Sequence, residues 1–214
     1  DCLYASFQGL PEEAEVKKGN PSSFIKNTNV KFSYEINKKR YLVEVDEQTY
    51  HIVNNSGDLY LNQTDVINAY YLEGAHYVER EVSEAEAIRL AKEYCPFDLS
   101  ALNTNMLLDE NDTLATYYLT GSDANALCAH LFGVTMSFTK IEVLVENEKL
   151  TKIIVNLASG TKVEVVFTDF NERIVIPYIA PLADSNIKAA KEAKDGTKMV
   201  VKGYVTGIIG FNFY

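Results

Sequence analysis

Three cysteines, three histidines and one run of carboxylates are the residues of this chain whose types could do chemistry. Cys2, Cys95 and Cys128 are too few for a disulfide scaffold. Cys95 and Cys128 follow or sit in candidate helices and could pair, though their setting favours two buried thiols. Cys2 invites a lipidated terminus, but Asp1 before it is not the small residue that such processing usually takes. An anchor upstream is an equal route to a membrane surface. His51, His76 and His130 have no spacing that suggests a shared metal, and Cys128-Ala129-His130 on a helix would point its two side chains apart. Asp109-Glu110-Asn111-Asp112 has the carboxylates for weak calcium binding but lacks the EF-hand spacing, which favours a solvated loop. No GxGxxG, P-loop or HExxH pattern occurs, and Gly207-Ile208-Ile209-Gly210 reads as a bend in a strand. The expectation is a protein without catalytic residues, metal or cofactor.

Charge narrows the partners. The formal net charge is −10 and the 20 basic residues are dispersed, which argues against binding a phosphate backbone. The small run Lys38-Lys39-Arg40 falls in a turn, where solvation explains it. No apolar run approaches the length needed to span a bilayer. Asn54, Asn62 and Asn111 each begin a glycosylation-type triplet, read here as chance. Among 14 tyrosines, Tyr34, Tyr41, Tyr50, Tyr70 and Tyr117 fall at strand positions. They could line the mouth of a cavity, but half-buried strand residues are the commoner reading.

The elements that would position any site are clearest in residues 139–177. Ile141, Val143 and Val145, then Ile153, Val155 and Leu157, then Val163, Val165 and Phe167 recur at period two, as one buried face of an antiparallel sheet requires. Loop parity agrees with that face. Two-residue loops after Val145 would set apolar residues opposite polar ones, whereas a three-residue loop at Asn147-Glu148-Lys149 sets Val143 across from Ile153. A three-residue loop at Ala158-Ser159-Gly160 sets Val155 opposite Val163 and Ile153 opposite Val165, with Gly160 at the left-handed position. Leu144, Ile154 and Val166 interrupt the outer face, either as isolated apolar residues or as a partner surface.

A second meander precedes it: Val30 to Ile36, Tyr41 to Val45 after a three- or four-residue turn, Tyr50-Ile52, Leu59-Leu61, and a pair at 69–72 and 76–80. Ser83 opens a helix with Glu86 as its capping-box partner and Val82 stapled to Ala87, and Pro96 ends the segment. A loop-rich region leads to a strand at Ala115–Leu119. A second helix runs from Ser122 or Asp123 to Phe132, closed by Gly133. Pro11 to Glu15 and Asp184 to Lys194 read as short helices, and Lys198 to Ile209 as a strand. The plan is α+β, an antiparallel sheet with helices on one face.

Lys152-Ile153, Gly160 and Phe167-Thr168-Asp169-Phe170, followed by Pro177, resemble the closing strands of the periplasmic lipoprotein-carrier and mycobacterial-type lipid-binding lipoprotein superfamily. The resemblance implies a strongly curved antiparallel half-barrel with helices covering the concave face and an apolar cavity between them. It implies capture of acyl chains by burial, with Ile141, Val143, Val145, Ile153, Val155, Val165 and Phe167 as the ligand-facing residues. The tail Ile187 to Tyr214, with Val200-Val201-Lys202-Gly203-Tyr204, looks like the first strand of an OB-fold of the kind attached to secreted bacterial nucleases. The expected organisation is an extension at 1–23, a half-barrel domain at 24–180, and the truncated start of an OB-like domain at 184–214.

Three functions follow. One is an extracytoplasmic, secreted or surface-anchored binding module for a lipid or a lipidated partner. Another is a non-catalytic segment of a larger surface protein or nuclease. The third is a structural domain whose concave face is filled by its own side chains. None binds nucleic acid through this chain.

Overall fold

The computed structural model describes residues 16–74 and 76–177, and the backbone of 184–185, 200–201, 208–209 and 212–213. In chain order the main elements are β1 (Lys18–Gly19), β2 (Val30–Ile36), β3 (Lys39–Val45), β4 (Thr49–Asn54), β5 (Gly57–Gln63), β6 (Ile67–Glu73), β7 (His76–Val82), α1 (Glu84–Tyr94), β8 (Met106–Glu110), β9 (Leu114–Thr120), α2 (Gly121–Phe132), β10 (Phe138–Glu146), β11 (Lys149–Leu157) and β12 (Lys162–Asp169). The twelve strands form one open antiparallel sheet in the order β1-β8-β9-β10-β11-β12-β2-β3-β4-β5-β6-β7. Two meanders are thus joined where β12 lies against β2, with Phe167 opposite Phe32. The class is α+β.

Alternation produces the buried face. Val30, Phe32, Tyr34 and Ile36 of β2 are buried, with Val43 and Val45 of β3 beside them, while the intervening residues are half-buried or exposed. The pairings Val143–Ile153, Ile153–Val165 and Val155–Val163 are those that loop parity requires. Gly160 has a φ of 86°, which only glycine adopts without steric cost.

The route to the first pairing differs from the expected three-residue loop. Asn147 and Glu148 alone make the turn, with φ of 48° and 62°, a type I′ geometry that asparagine tolerates and that suits the strand twist. Thr151 is then the extra residue of a bulge between the pairs Leu144–Lys152 and Val145–Leu150, and the bulge restores parity. Asn37-Lys38 makes the same tight turn before β3 (φ 50° and 61°), again shorter than expected. Two further corrections concern extent. Residues 106–110, expected as loop, form β8, whose Met106 is fully buried. Lys18–Gly19, upstream of the expected domain start, pair with β8 and belong to the sheet.

Both helices bury one stripe in the sheet's core. α1 contributes Ala87 and Leu90, and α2 contributes Ala124, Cys128, Leu131 and Phe132. Ser83 caps α1 by accepting a hydrogen bond from the Glu86 N–H at 3.2 Å. The reciprocal half of the capping box is replaced, because the Glu86 carboxylate accepts from Arg89 instead, at 2.8 and 2.9 Å. Gly133 ends α2 at a φ of 60°, where a Cβ would also lie 2.9 Å from the Cβ of Pro96.

Towards the C-terminus, Asp184–Ser185 pair in parallel with Val200–Val201, and Ile208–Ile209 pair antiparallel with Asn212–Phe213. Asp184 and Ser185 are therefore extended where a helix was expected to begin. The rest of that helix, the one at Pro11–Glu15, Cys2 and the Gly207–Gly210 pair lie outside the described residues.

Candidate functional site

The seven residues that the family resemblance turns towards a ligand are core residues. Ile141, Val143, Ile153, Val155 and Val165 have no exposed surface, and Val145 and Phe167 keep only 3% and 7%. The space beside them is occupied by rings. Phe132 of α2 meets Tyr34 edge-on at 5.5 Å and Phe97 at 5.2 Å, and Phe97 meets Phe32 at 5.3 Å. Phe32 in turn lies 5.3 Å from Phe167.

The two described cysteines are free and buried within this packing. The Cys95 sulfur lies 3.5 Å from the Tyr34 hydroxyl. Burial pushes the Cys95 thiol up, and it pushes Cys128 up to about 12. Both remain neutral thiols, poor nucleophiles and poor metal ligands.

At one corner the face opens. The Asn20 side chain caps the short 3-10 turn Pro21–Phe24 by accepting from the Ser22 N–H at 3.0 Å, and Pro21 holds its first position. That turn delivers Phe24 and Ile25 to the ends of β2 and β12. A second 3-10 turn, Leu99–Leu102, is capped by Asp98 in the same way and delivers Leu99. The bulge at Thr151 supplies the next wall. Strict alternation from Ile153 would turn Leu150 outward, but the extra residue pairs it with the inward Val145. With Val30 and Phe167, these side chains enclose a pocket of about 260 Å3. Of the seven expected ligand residues, Phe167 is the one that lines it.

The rim of the pocket is charged. Lys26 Nζ donates to Asp169 Oδ1 at 2.7 Å, and Lys149 Nζ donates to Asp169 Oδ2 at 2.6 Å. The Lys149 hydrogen bond, followed by that of Lys26, holds the Asp169 carboxyl down at about 2. Two ammonium groups share one carboxylate, so the rim carries a net positive charge in a chain whose total is −10. Nothing in sequence periodicity points to this corner, because Lys26, Lys149 and Asp169 are far apart in the chain. The one local signal is the pair of short Pro- and Asp-initiated turns that bracket it.

A second feature lies on the opposite face. Lys31, Glu44, His51, Tyr60, Tyr70 and Glu79 stand side by side across six strands. Lys31 donates to Glu44 at 2.6 Å, and His51 stacks on Tyr60 at 4.1 Å with its two ring nitrogens facing Glu44 and Asp58. Tyr77 also donates to Asp58. The chain beyond β12 folds over this array as a strap, with Phe170 and Ile174 buried against Tyr60 beside Tyr70 and Tyr77. Asp46 pins the strap. Its Oδ2 accepts from the Ile174 N–H at 2.8 Å, and its Oδ1 accepts from Gln48 and Thr49 at 2.8 and 2.7 Å. This is stapling, and it explains why Tyr60 is buried on the sheet's nominally wet side.

The remaining candidates stay apart. On α2, His130 is 68% exposed while Cys128 is fully buried, so the two point away from each other. Among the described residues, no group of three or more His, Cys, Asp or Glu could hold a metal ion. Among them, too, no helix is long and apolar enough to cross a membrane. The chain matches no protein-family model and no curated protein sequence.

Proposed function

We propose that this chain is a non-catalytic extracytoplasmic binding module that captures one small apolar group, the end of an acyl chain, in the corner pocket between Phe24, Leu99, Leu150 and Phe167. The observation that carries this reading is the pocket itself: about 260 Å3 walled mainly by apolar side chains on three independently capped or bulged segments. Burial at about 25 cal/mol per Å2 of apolar surface is its source of affinity. The volume falls just under the roughly 300–1,000 Å3 of drug-sized pockets, so one short single chain fits and a two-chain lipid does not. In this reading the open sheet curves as a half-barrel around its two helices, and the corner is where that wrapping leaves a mouth. An extracytoplasmic setting, at a membrane surface through an anchor, follows from the lipoprotein resemblance of Phe167-Thr168-Asp169-Phe170 and its neighbours.

A second reading is favoured by a different observation. The fully buried Phe132, Ile141, Val143, Ile153, Val155 and Val165 suit a structural module of a larger surface protein, filled by its own side chains. Native mass spectrometry after gentle purification separates the two. The binding module retains mass increments of single acyl chains or takes them up from added lipid. A spectrum of bare protein under both conditions contradicts it and leaves the structural reading.

A further inference from the structure

The geometry points to the head group of the ligand: we propose that the corner pocket takes a single-chain amphiphile with a monoanionic carboxylate head, read by Lys26 and Lys149. This rests on the assignment of the pocket as the binding site and adds the chemistry at its mouth.

Three observations carry it. The lining is divided, with apolar side chains at its walls and Lys26, Lys149 and Asp169 as its charged members. Among the described residues that line the mouth, the charge is uncompensated by one. Lys26 and Lys149 each give Asp169 a single hydrogen bond, at 2.7 and 2.6 Å, and each ammonium has three N–H donors. Among the described residues two donors therefore remain on each lysine, and one further negative charge makes the rim neutral. A cationic head would meet two ammonium groups, and an uncharged head would leave the excess unanswered.

Size sets the chain. A pocket of about 260 Å3, below the roughly 300–1,000 Å3 of drug-sized sites, suits one short chain. An eight-carbon acid is a probe of that class. Octanoate satisfies both halves of the site, its chain among Phe24, Ile25, Val30, Leu99, Leu150 and Phe167 and its carboxylate beside Asp169 on the two lysines. Asp169 is then a competitor as well as an organiser. It holds the ammonium groups at the mouth and offers them a charge that the ligand must share.

Calorimetric titration of the whole chain with octanoate, octanol and octylamine tests this. Octanoate is expected to bind about tenfold more tightly than octanol, and octylamine more weakly than either. The double variant Lys26→Met/Lys149→Met keeps the apolar stems and is expected to bring octanoate down to the octanol level. Asp169→Asn removes the competing charge and is expected to tighten octanoate several-fold relative to octanol. All three residues are exposed enough that these variants keep the fold. Equal binding of octanoate and octanol, with no response to the lysine or Asp169 variants, overturns the head-group assignment and leaves the pocket standing. Failure of every ligand to bind overturns the pocket as well.

Discussion

The middle of the sheet's apolar face and its corner beside β12 are made of the same residue types, yet one is closed and the other open. In the middle, Tyr34, Phe97 and Phe132 lie edge to face or tilted at 5.1 to 5.5 Å from one another. At the corner, Phe24, Ile25, Leu99 and Leu150 are only partly buried and come from short turns and a bulge rather than from strands or helices facing one another. Regular elements bring side chains together at spacings that interdigitate, whereas the corner's segments end before they can. The difference teaches that a greasy face is not itself a ligand site. Open space is left where the packing of regular elements stops.

Changes at four residues would sharpen or break that contrast. The largest effect is expected in the closed region. Phe132→Ala removes a fully buried ring that meets those of Tyr34, Phe97 and Phe138, and should cost about 3–5 kcal/mol, read by chemical denaturation. A loss below about 1 kcal/mol would mean that the middle is looser than its ring contacts imply. Next comes Asp46→Ala, which leaves the Ile174, Gln48 and Thr49 N–H groups without their acceptor and should cost about 2–3 kcal/mol.

Asp46 also gives an acid dependence. Partial burial pushes its carboxyl up, but the backbone hydrogen bonds from Ile174, Gln48 and Thr49, with the charge of Arg173, outweigh that and hold it below the ordinary aspartate value. A carboxyl lowered in the folded state contributes stability above its unfolded value, and that contribution disappears as the pH falls through the folded value. Denaturation midpoints should therefore drop below about pH 4, and Asp46→Asn should flatten that drop. An unchanged acid limb in the variant would remove Asp46 from the account.

Smaller again, Leu150→Ala should cost about 1–2 kcal/mol, since the side chain is only half-buried, while abolishing uptake of an acyl chain. Loss of stability without loss of uptake would move the ligand elsewhere. The smallest effect is expected at Val166 on the outer face, 40% exposed, where Val166→Ser should stay within about 0.5 kcal/mol and leave binding untouched. A large effect there would favour the partner surface over the isolated apolar residue.

The middle was readable from the sequence and the corner was not. Period-two triplets such as Ile153, Val155 and Leu157 carry their burial in their spacing, and loop parity names their partners. Ser83 and Gly133 likewise declare the helix ends through cap chemistry. Thr151, by contrast, looks like any polar strand residue, and its bulge exists because a two-residue Asn147-Glu148 turn needs one more residue to keep Val143 opposite Ile153. Lys26 and Asp169 meet only because β12 closes against β2, a pairing between the two meanders that no local pattern signals. Tyr60 is hidden for the same reason, since its burial depends on a strap that follows β12.

The central claim is that a ligand sits at the corner and not in the middle. Methyl-resolved NMR during titration with octanoate addresses it directly. The account predicts concentration-dependent shifts at the methyl groups of Ile25, Val30, Leu99 and Leu150, with those of Ile141, Val143, Ile153 and Val155 unmoved. Shifts centred on Ile141, Val143, Ile153 and Val155 would contradict it.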